Sequence, residues 1–223
     1  MEPSELLLSK DGSHTIYSEK YNAHYHSIYG AIEESLHVFI SAGLYNQYRR
    51  GLRSITIFEM GLGTGLNAYL SLLTANKLKI KVNYITVETD PITVSQADIL
   101  NYSEEINEKS LETFTTLHSS AWAEKIELSP YFTFEKHKIS IQDYDFKQSV
   151  DVIYYDAFAP SCQPELWEAD IHTRLYDALN PYGTLVTYCA KGSFKRMLKS
   201  LGYKLEMLNG PNKKREMTRA VKI

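Results

Sequence analysis

The chain of 223 residues is 43% hydrophobic and 23% charged, with a net charge of −3, which is ordinary for a globular domain with a full core. Its sequence contains no run of about eighteen apolar residues and no signal-peptide pattern, so we expect neither a membrane span nor export. The two cysteines, Cys162 and Cys189, have no paired spacing. This argues against a disulfide framework and a zinc site, and it favours the reducing cytoplasm.

The hydrophobic patterns predict an N-terminal extension at residues 1–50 and a larger domain at residues 51–223. The extension contains a short β-like segment at 14–17 and an amphipathic helix near 32–48. From position 55 onward, strand patterns alternate with helical patterns, which favours a parallel sheet with helices on both faces. We predict strands at 55–60, 82–88, 131–137, 151–155, 184–189, 203–209 and 216–222, and helices at 66–78, about 91–107, about 109–125, 164–178 and 193–201.

The last two predicted strands are joined by a loop that contains Gly210 and Pro211 and has no room for a helix. A parallel crossover needs about a dozen residues or more, so we expect these two strands to pair antiparallel. The prediction is therefore an α/β fold with a seven-stranded sheet whose last strand is antiparallel, plus the small N-terminal extension.

The segment at 55–66 is the most informative of the chain. An apolar strand pattern ends there in Glu59 and is followed by Gly61, Gly63 and Gly65. Glycine permits backbone angles that a β-carbon forbids, so a ligand can approach this turn closely. The helix that follows aims its free N–H groups into the same space. The alternative is a turn that merely joins a strand to a helix.

The spacing of these glycines indicates which class of nucleotide-binding turn the chain contains. The dinucleotide fingerprint requires glycine where this chain has Leu66, and the phosphate loop requires a lysine that is absent after Gly65. The spacing, with an acidic residue two positions before the first glycine, resembles the first motif of the class I S-adenosylmethionine-dependent methyltransferases. The seven-stranded, Rossmann-like fold of that class agrees with the predicted elements.

The second predicted strand ends in Glu88, 23 positions beyond Gly65. An ionised carboxylate at this place is suited to accept hydrogen bonds from the two ribose hydroxyls of an adenosine. Asp90 competes for this role, and a solvated strand-end carboxylate is the alternative for Glu88. The resemblance also implies an acidic residue that meets the adenine amino group after the third strand. Asp143 is the candidate, and backbone groups alone are the alternative.

Asp156 directly follows the fourth predicted strand, so we expect it at the ligand crevice beside the glycine turn. Methyl transfer to an amine needs a free lone pair, whereas an alkylamine, with a reference pKa of roughly 10, is protonated at neutral pH. Asp156 is suited to orient such an amine and to help it lose a proton, and Phe158 is suited to form an aromatic wall. A helix cap or turn carboxylate is the alternative for Asp156.

The C-terminal part of the chain is strongly basic. Positions 191–223 contain ten Lys or Arg residues against Glu206 and Glu216, a net charge of +8, so the remainder of the chain carries −11. This segregation favours an electropositive face and a nucleic-acid partner, and exposed members of the seventeen tyrosines are suited to stack on unpaired bases. A solvated helix and hairpin with many lysines is the alternative.

Four separated motifs make the resemblance more specific. They are similar to the methyltransferase half of the bifunctional bacterial tRNA 5-methylaminomethyl-2-thiouridine biosynthesis protein: Asp-Ala-Phe-Ala-Pro at 156–160, Pro-Glu-Leu-Trp at 164–167, the segment 185–192, and Lys-Arg-Glu-Met at 214–217. The segments 30–35 and 37–39 also resemble the N-terminal part of that family. The bifunctional members carry a further flavin-dependent oxidase domain, and a chain that ends at Ile223 resembles the stand-alone methyltransferase form.

This resemblance implies a substrate, a cofactor and a set of site residues. The substrate would be the aminomethyl nitrogen on carbon 5 of the tRNA wobble uridine, an unpaired base that is easily presented to a pocket. A separate enzyme would supply the aminomethyl precursor, and S-adenosylmethionine would be the cofactor. The implied residues are Asp156 for catalysis; Glu59, Gly61, Gly63, Gly65, Glu88, Asp143 and Asp156 for the cofactor; and Phe158, Lys191, Lys214 and Arg215 for the substrate, the basic ones by phosphate contact.

Two other functions remain open at this point. A small-molecule amine methyltransferase or aminopropyltransferase would also need an aspartate that faces an amine, but the basic C-terminal part favours RNA. A non-catalytic cofactor-binding or RNA-binding subunit is disfavoured because Glu59, Glu88 and Asp156 are all present. Because the histidines lack an acidic or cysteine partner at a ligand spacing, we expect no metal site.

Overall fold

The computed structural model describes residues 6–106, 111–211 and 215–223. The described chain begins with a small antiparallel sheet whose strands are β1 (Leu6–Leu8), β2 (His14–Ser18) and β3 (Ala23–His24). One continuous helical rod follows, in which helix α1 (Ala31–Ser35) leads into a π-helical segment (Leu36–Leu44) and then into helix α2 (Tyr45–Arg49). The π-helical segment is mostly apolar and buried, so it packs against the central domain rather than standing in solvent.

The central domain is a sheet with helices on both faces. Its strands are β4 (Ser54–Met60), β5 (Lys81–Val87), β6 (Ile126–Ser129), β7 (Phe132–His137), β8 (Val150–Tyr155), β9 (Leu179–Thr187), β10 (Tyr203–Leu208) and β11 (Met217–Lys222). Its helices are α3 (Leu66–Leu78), α4 (Val94–Asp98), α5 (Tyr102–Glu105), α6 (Leu111–Ser119), α7 (Ala169–Ala178) and α8 (Gly192–Ser200), with a 3₁₀ turn at Pro164–Trp167.

The strand order of the central sheet is β10-β11-β9-β8-β4-β5-β7-β6. Strands β7, β5, β4, β8 and β9 run parallel, whereas β11 lies antiparallel between β9 and β10. This confirms the predicted α/β class and the antiparallel pairing of the last two predicted strands. The chain leaves β4 toward β5 on one side, while β8 lies on the other side. Such a reversal opens a crevice at the carboxyl ends of the strands.

The structure differs from the predicted elements in several places, among them that α6 ends at Ser119 and β9 already begins at Leu179. An eighth strand, β6, pairs antiparallel with β7 at the sheet edge, between the predicted helix that ends near 125 and the predicted strand at 131–137, and its four residues are too short for a clear sequence pattern. The predicted helix near 91–107 is divided into α4 and α5 around Asn101, whose backbone is not helical. The predicted helix at 164–178 is broken at Glu168, which has extended backbone angles.

Two apolar layers enclose the sheet. Tyr154 of β8 packs with Phe39 of the π-helical segment on one face, while the next residue, Tyr155, packs with Trp167 on the other face. Successive side chains of a strand point to opposite faces, so a strand covered on both faces reads as a nearly continuous apolar run. No helix within the described ranges is both long enough and apolar enough to cross a membrane.

Gly43 lies at a close contact between the π-helical segment and the sheet. A β-carbon at this position would lie 2.8 Å from Tyr154 Cε1, 3.1 Å from Val152 Cγ1 and 3.2 Å from Val186 Cγ2. We predict that Gly43→Ala lowers the free energy of unfolding by about 1 kcal/mol or more, because overpacking costs about 1–3 kcal/mol and exceeds the helix preference of alanine.

The matched control for this prediction is Gly192→Ala at the start of α8, where the added carbon would meet only the end of the flexible Arg196 side chain at 3.3 Å. We expect this variant to lie within about 0.5 kcal/mol of the parent protein. Urea denaturation measures both changes. A Gly43→Ala protein as stable as the parent would contradict the close packing at this contact.

Candidate active site

A cavity of about 570 Å³ opens at the carboxyl ends of β4, β5 and β8. The central domain contributes the turn after β4, the end of β5 and the loop after β8, while the N-terminal extension covers the opposite side with Tyr21, Tyr25, His26 and Glu34. This is the crevice that the strand order creates. The wall is mixed, with apolar and aromatic side chains interrupted by a few carboxylates, as in sites for small organic ligands.

The glycine turn after β4 has the left-handed backbone that only glycine adopts readily. The φ angles are +85° at Gly61, +51° at Gly63 and +76° at Gly65. Gly61 and Gly63 line the cavity, whereas Gly65 faces away, with His118 Nε2 only 2.8 Å from where its β-carbon would be. Two of the three predicted glycines therefore face the ligand space, and the third begins helix α3.

Glu88 lies at the end of β5 and is fixed by three backbone hydrogen bonds. Its Oε2 accepts from the N–H of Gly63 at 3.0 Å, and its Oε1 accepts from the N–H groups of Thr89 and Asp90, both at 2.8 Å. The carboxylate lines the cavity, and its oxygens have about four acceptor sites in all. The side chain of Asp90 instead forms an exposed ion pair with Lys20 at 3.2 Å. The geometry therefore favours Glu88 over Asp90 as the ribose ligand.

Asp156 directly follows β8 and lines the cavity. Its backbone N–H donates to Met60 O at 3.3 Å, which joins this residue to the turn after β4. Its Oδ2 accepts a hydrogen bond from Asn67 Nδ2 at 2.8 Å. Asp156, Gly61 and Gly63 thus meet in one cavity although up to 95 positions separate them in the chain.

Glu59 lies behind the cavity rather than in its wall. The side chain is fully buried and accepts a hydrogen bond from Asn67 Nδ2 at 3.0 Å. Burial and, next, the charge of Asp156 raise the pKa of Glu59 well above its usual range, against the effect of the bond from Asn67. The predicted direct cofactor contact of Glu59 therefore stays a prediction, and its carboxyl group lies beside Asn67, Tyr84 and Thr86.

Phe158 forms part of an aromatic wall with Tyr21 and Tyr25 at the cavity, and its role toward a substrate stays a prediction. Its ring stacks on Tyr21 with centroids 4.6 Å apart and meets Tyr25 edge-on at 5.2 Å. The loop around it is fixed by Trp167, whose Nε1–H donates to Phe158 O at 2.9 Å. Tyr188 also lines the cavity, and its hydroxyl donates to Ala157 O at 2.8 Å. An apolar aromatic surface therefore lies beside the Asp156 carboxylate.

Several cavity residues were not singled out from the sequence. Glu34 is 7% exposed, lines the cavity and accepts a hydrogen bond from the N–H of Ser27 at 3.2 Å. Burial raises the pKa of Tyr188, and the nearby charges of Asp156 and Glu34 add to this effect. Glu34 belongs to the segment 30–35, which carries part of the family resemblance. That resemblance is the feature of the sequence that points to Glu34 as a cavity residue.

Three of the remaining predicted residues, Asp143, Lys191 and Arg215, do not line the cavity. Asp143 is exposed and accepts a hydrogen bond from Ser140 Oγ at 2.6 Å, while its neighbour Gln142 lines the cavity. Lys191, at the start of α8, and Arg215 are both exposed. Lys214 lies outside the described residues. The adenine contact and the phosphate contacts therefore stay predictions.

Comparison with known proteins gives the class of this protein. A family model described as S-adenosyl-L-methionine-dependent methyltransferase matches residues 98–223, and the chain belongs to this family. Its cofactor is S-adenosylmethionine.

Individual relatives give a finer comparison. The chain is 26% identical over 232 residues to the tRNA 5-methylaminomethyl-2-thiouridine biosynthesis bifunctional protein MnmC of Cupriavidus metallidurans, covering 98% of this chain and 34% of that protein. It is 29% identical over 235 residues to the MnmC of Leptospira interrogans, and the match covers 95% of this chain and 34% of that protein. The chain thus spans about a third of the length of these relatives.

A solved structure supports the fold. The crystal structure of MNMC2 from Aquifex aeolicus superposes with a TM-score of 0.78 at 24% identity, covering 97% of this chain and 69% of that chain.

The residues of the cavity fit S-adenosylmethionine. The turn at Gly61 and Gly63 presents backbone without side chains, so a ligand can approach it closely. Glu88 presents an acceptor for hydroxyl donors on the same side of the cavity. The cavity volume of about 570 Å³ lies within the range of about 300–1,000 Å³ that is typical of small-molecule sites.

We predict that Glu88→Ala raises the dissociation constant for S-adenosylmethionine by about tenfold or more, because a hydrogen bond to a charged group contributes about 1.5–3 kcal/mol. Isothermal titration calorimetry measures this constant. The control is Asp90→Ala, which removes only an exposed ion pair with Lys20 and should change the constant by no more than about threefold. A larger effect at Asp90 than at Glu88 would assign the ribose contact to Asp90.

Proposed function

We propose that this protein transfers the methyl group of S-adenosylmethionine to the aminomethyl nitrogen on carbon 5 of the tRNA wobble uridine, converting 5-aminomethyl-2-thiouridine to 5-methylaminomethyl-2-thiouridine. The observation that carries the proposal is the Asp156 carboxylate, which lies in the cavity between the glycine turn and the aromatic wall. The relatives are named as proteins of 5-methylaminomethyl-2-thiouridine biosynthesis, which supports the choice of substrate.

The role of Asp156 follows from the chemistry of an amine acceptor. When bound, S-adenosylmethionine supplies a methyl group on a positively charged sulfur. Asp156 accepts an N–H hydrogen bond from the amine, which directs the nitrogen lone pair, and it helps to remove the proton that otherwise occupies that lone pair. A carboxylate offers about four acceptor sites, and the bond from Asn67 uses one of them.

The aromatic wall suits a pyrimidine base. Phe158 and Tyr21 present flat apolar rings at the cavity, and stacking of a base on such a ring contributes about 1–3 kcal/mol. A wobble uridine lies in a single-stranded loop, so bringing it to the cavity requires little unstacking and no unpairing. A small aliphatic amine has no ring that would use this surface, which favours the nucleoside.

The basic C-terminal residues provide a surface for the phosphate backbone, although several of the ten have structural partners. Arg219 pairs with Glu206, and Lys222 Nζ donates to three carbonyls near the end of α7. Lys191 is three positions beyond the cavity residue Tyr188, which limits its distance along the chain to roughly 10 Å.

Arg215 is on the same side of the molecule. It is three positions before Thr218, whose Oγ1 donates to Cys189 O at 2.6 Å. Lys191 and Arg215 are therefore well placed to contact phosphates beside the reacting base. We further propose that the protein acts in the cytoplasm and that a separate enzyme supplies the aminomethyl precursor, since methyl transfer requires the aminomethyl group to be present on the base already.

We predict that Asp156→Ala lowers kcat by a factor of about 100 to 10,000, the usual contribution of a positioned base, while S-adenosylmethionine still binds. The assay follows labelled methyl from S-adenosylmethionine to bulk tRNA whose wobble uridines stop at the aminomethyl stage, with mass analysis of the nucleosides. Cys162→Ala is the control, since Cys162 does not line the cavity, and it should retain activity. If the parent protein binds the cofactor but methylates no tRNA, a small amine acceptor replaces the proposed substrate.

We predict that Lys191→Ala and Arg215→Ala each raise KM for tRNA with little change in kcat, because phosphate contacts position the substrate without acting on the reacting atoms. Each variant should also reduce the slope of log affinity against log salt by about 0.7–1. Lys125→Ala is the matched control, since Lys125 is exposed just before β6 at the opposite edge of the sheet. Equal salt slopes for all three variants would contradict a phosphate surface at the C-terminal segments.

A further inference from the structure

Asn67 joins two carboxylates at the base of the cavity. Its Nδ2 lies 3.0 Å from Glu59 Oε1 and 2.8 Å from Asp156 Oδ2. The amide nitrogen of asparagine carries two N–H donors, so it donates one to each acid. The side chain is 3% exposed and is therefore held in this arrangement by packing on all sides.

The position of Asn67 depends on the glycine turn. Gly65 adopts φ +76° and ends the turn, so helix α3 begins at Leu66 and Asn67 falls in its first turn. Side chains of a helix point back toward its N-terminus, which here is the side of the strand ends and of Asp156. The neighbouring residues Leu66 and Ala68 are buried apolar side chains, so the N–H groups of a polar residue at this position need buried partners, and the two carboxylates accept them.

The charges of Glu59 and Asp156 explain why a neutral amide, that of Asn67, lies between them. Burial and the Asp156 charge raise the pKa of Glu59, which indicates that the two acids repel each other when both are ionised. A cation between them would hold Asp156 tightly in an ion pair and compete with a substrate amine. A neutral amide satisfies one oxygen of each acid and leaves the negative charge of Asp156 available at the cavity.

We propose that Asn67 is a positioning residue for methyl transfer, which orients the Asp156 carboxylate toward the acceptor amine by linking it to the buried Glu59. This inference rests on the proposed function of Asp156. The side chain of Asn67 does not line the cavity, so it acts through Asp156 and not by touching the substrate. Without the bond, the carboxylate loses one of the contacts that orient it, and misplacement of a catalytic group by about 1 Å lowers the rate about a hundredfold.

The test replaces Asn67 by leucine, which has a similar shape and no hydrogen-bond donor, and by serine, which keeps one donor and serves if the leucine variant does not fold. We expect Asn67→Leu to lower kcat for tRNA methylation by about 30- to 100-fold, with Asn67→Ser intermediate. The KM for tRNA and the dissociation constant for S-adenosylmethionine should change by no more than about threefold, since only transition-state orientation is lost. Ser71→Ala is the control: this residue is one turn further along α3, is equally buried, and contacts Tyr154 at 3.3 Å.

A double-mutant cycle separates positioning from a general structural effect. In the Asp156→Asn background, Asn67→Leu should cost less than about threefold in kcat, because residues that act as a unit are not additive. The positioning role is overturned if Asn67→Leu lowers kcat in the Asp156→Asn background as much as it does in the parent protein. It is also overturned if the affinity for S-adenosylmethionine falls by the same factor as the activity. Failure of the parent protein to methylate tRNA would instead reject the proposed function, so the two failures are distinguishable.

Discussion

The left-handed turn at Gly61, Gly63 and Gly65 is the constraint on which the rest of the site depends. Its backbone N–H at Gly63 fixes Glu88, a β-carbon at Gly61 would lie 3.4 Å from the carbonyl oxygen of Asp156, and its last residue begins α3. Three elements that are separated in sequence are therefore positioned by one loop. A residue with a side chain at any of these positions would be strained, because φ is positive at all three.

A buried polar network supports this turn from behind. Thr64 Oγ1 lies 2.6 Å from His26 Nε2 of the N-terminal extension and accepts from the Tyr102 hydroxyl at 3.2 Å, while Thr64 O lies 3.1 Å from His118 Nε2. Burial lowers the pKa of both histidines to about 4, so they are neutral at physiological pH. The network therefore stiffens the turn without adding charge beside Glu88 and Asp156. It also explains why the N-terminal extension lies over the cavity.

The charges of the chain divide into those that build the fold and those that face solvent. Lys136 is almost fully buried and donates to Leu117 O at 2.9 Å and His118 O at 2.5 Å, which satisfies carbonyls at the end of α6. Lys222 acts similarly near the end of α7. A count of Lys and Arg residues therefore overstates the basic surface, and the exposed Lys191 and Arg215 are the better guide to a phosphate partner.

By itself, the sequence determined the fold class, the glycine turn, the antiparallel end of the sheet and the strand-end acids Glu88 and Asp156. These depend on local rules, namely glycine spacing, strand and helix alternation, and a final loop too short for a crossover. Tertiary structure alone decided that Glu59 lies behind the cavity, that Asp143 points to solvent while Gln142 lines the wall, and that Tyr21 stacks on Phe158. It also decided that Asn67 joins two acids. Such contacts join residues far apart in the chain, and they are set by strand order and packing, for which a single sequence carries no local pattern.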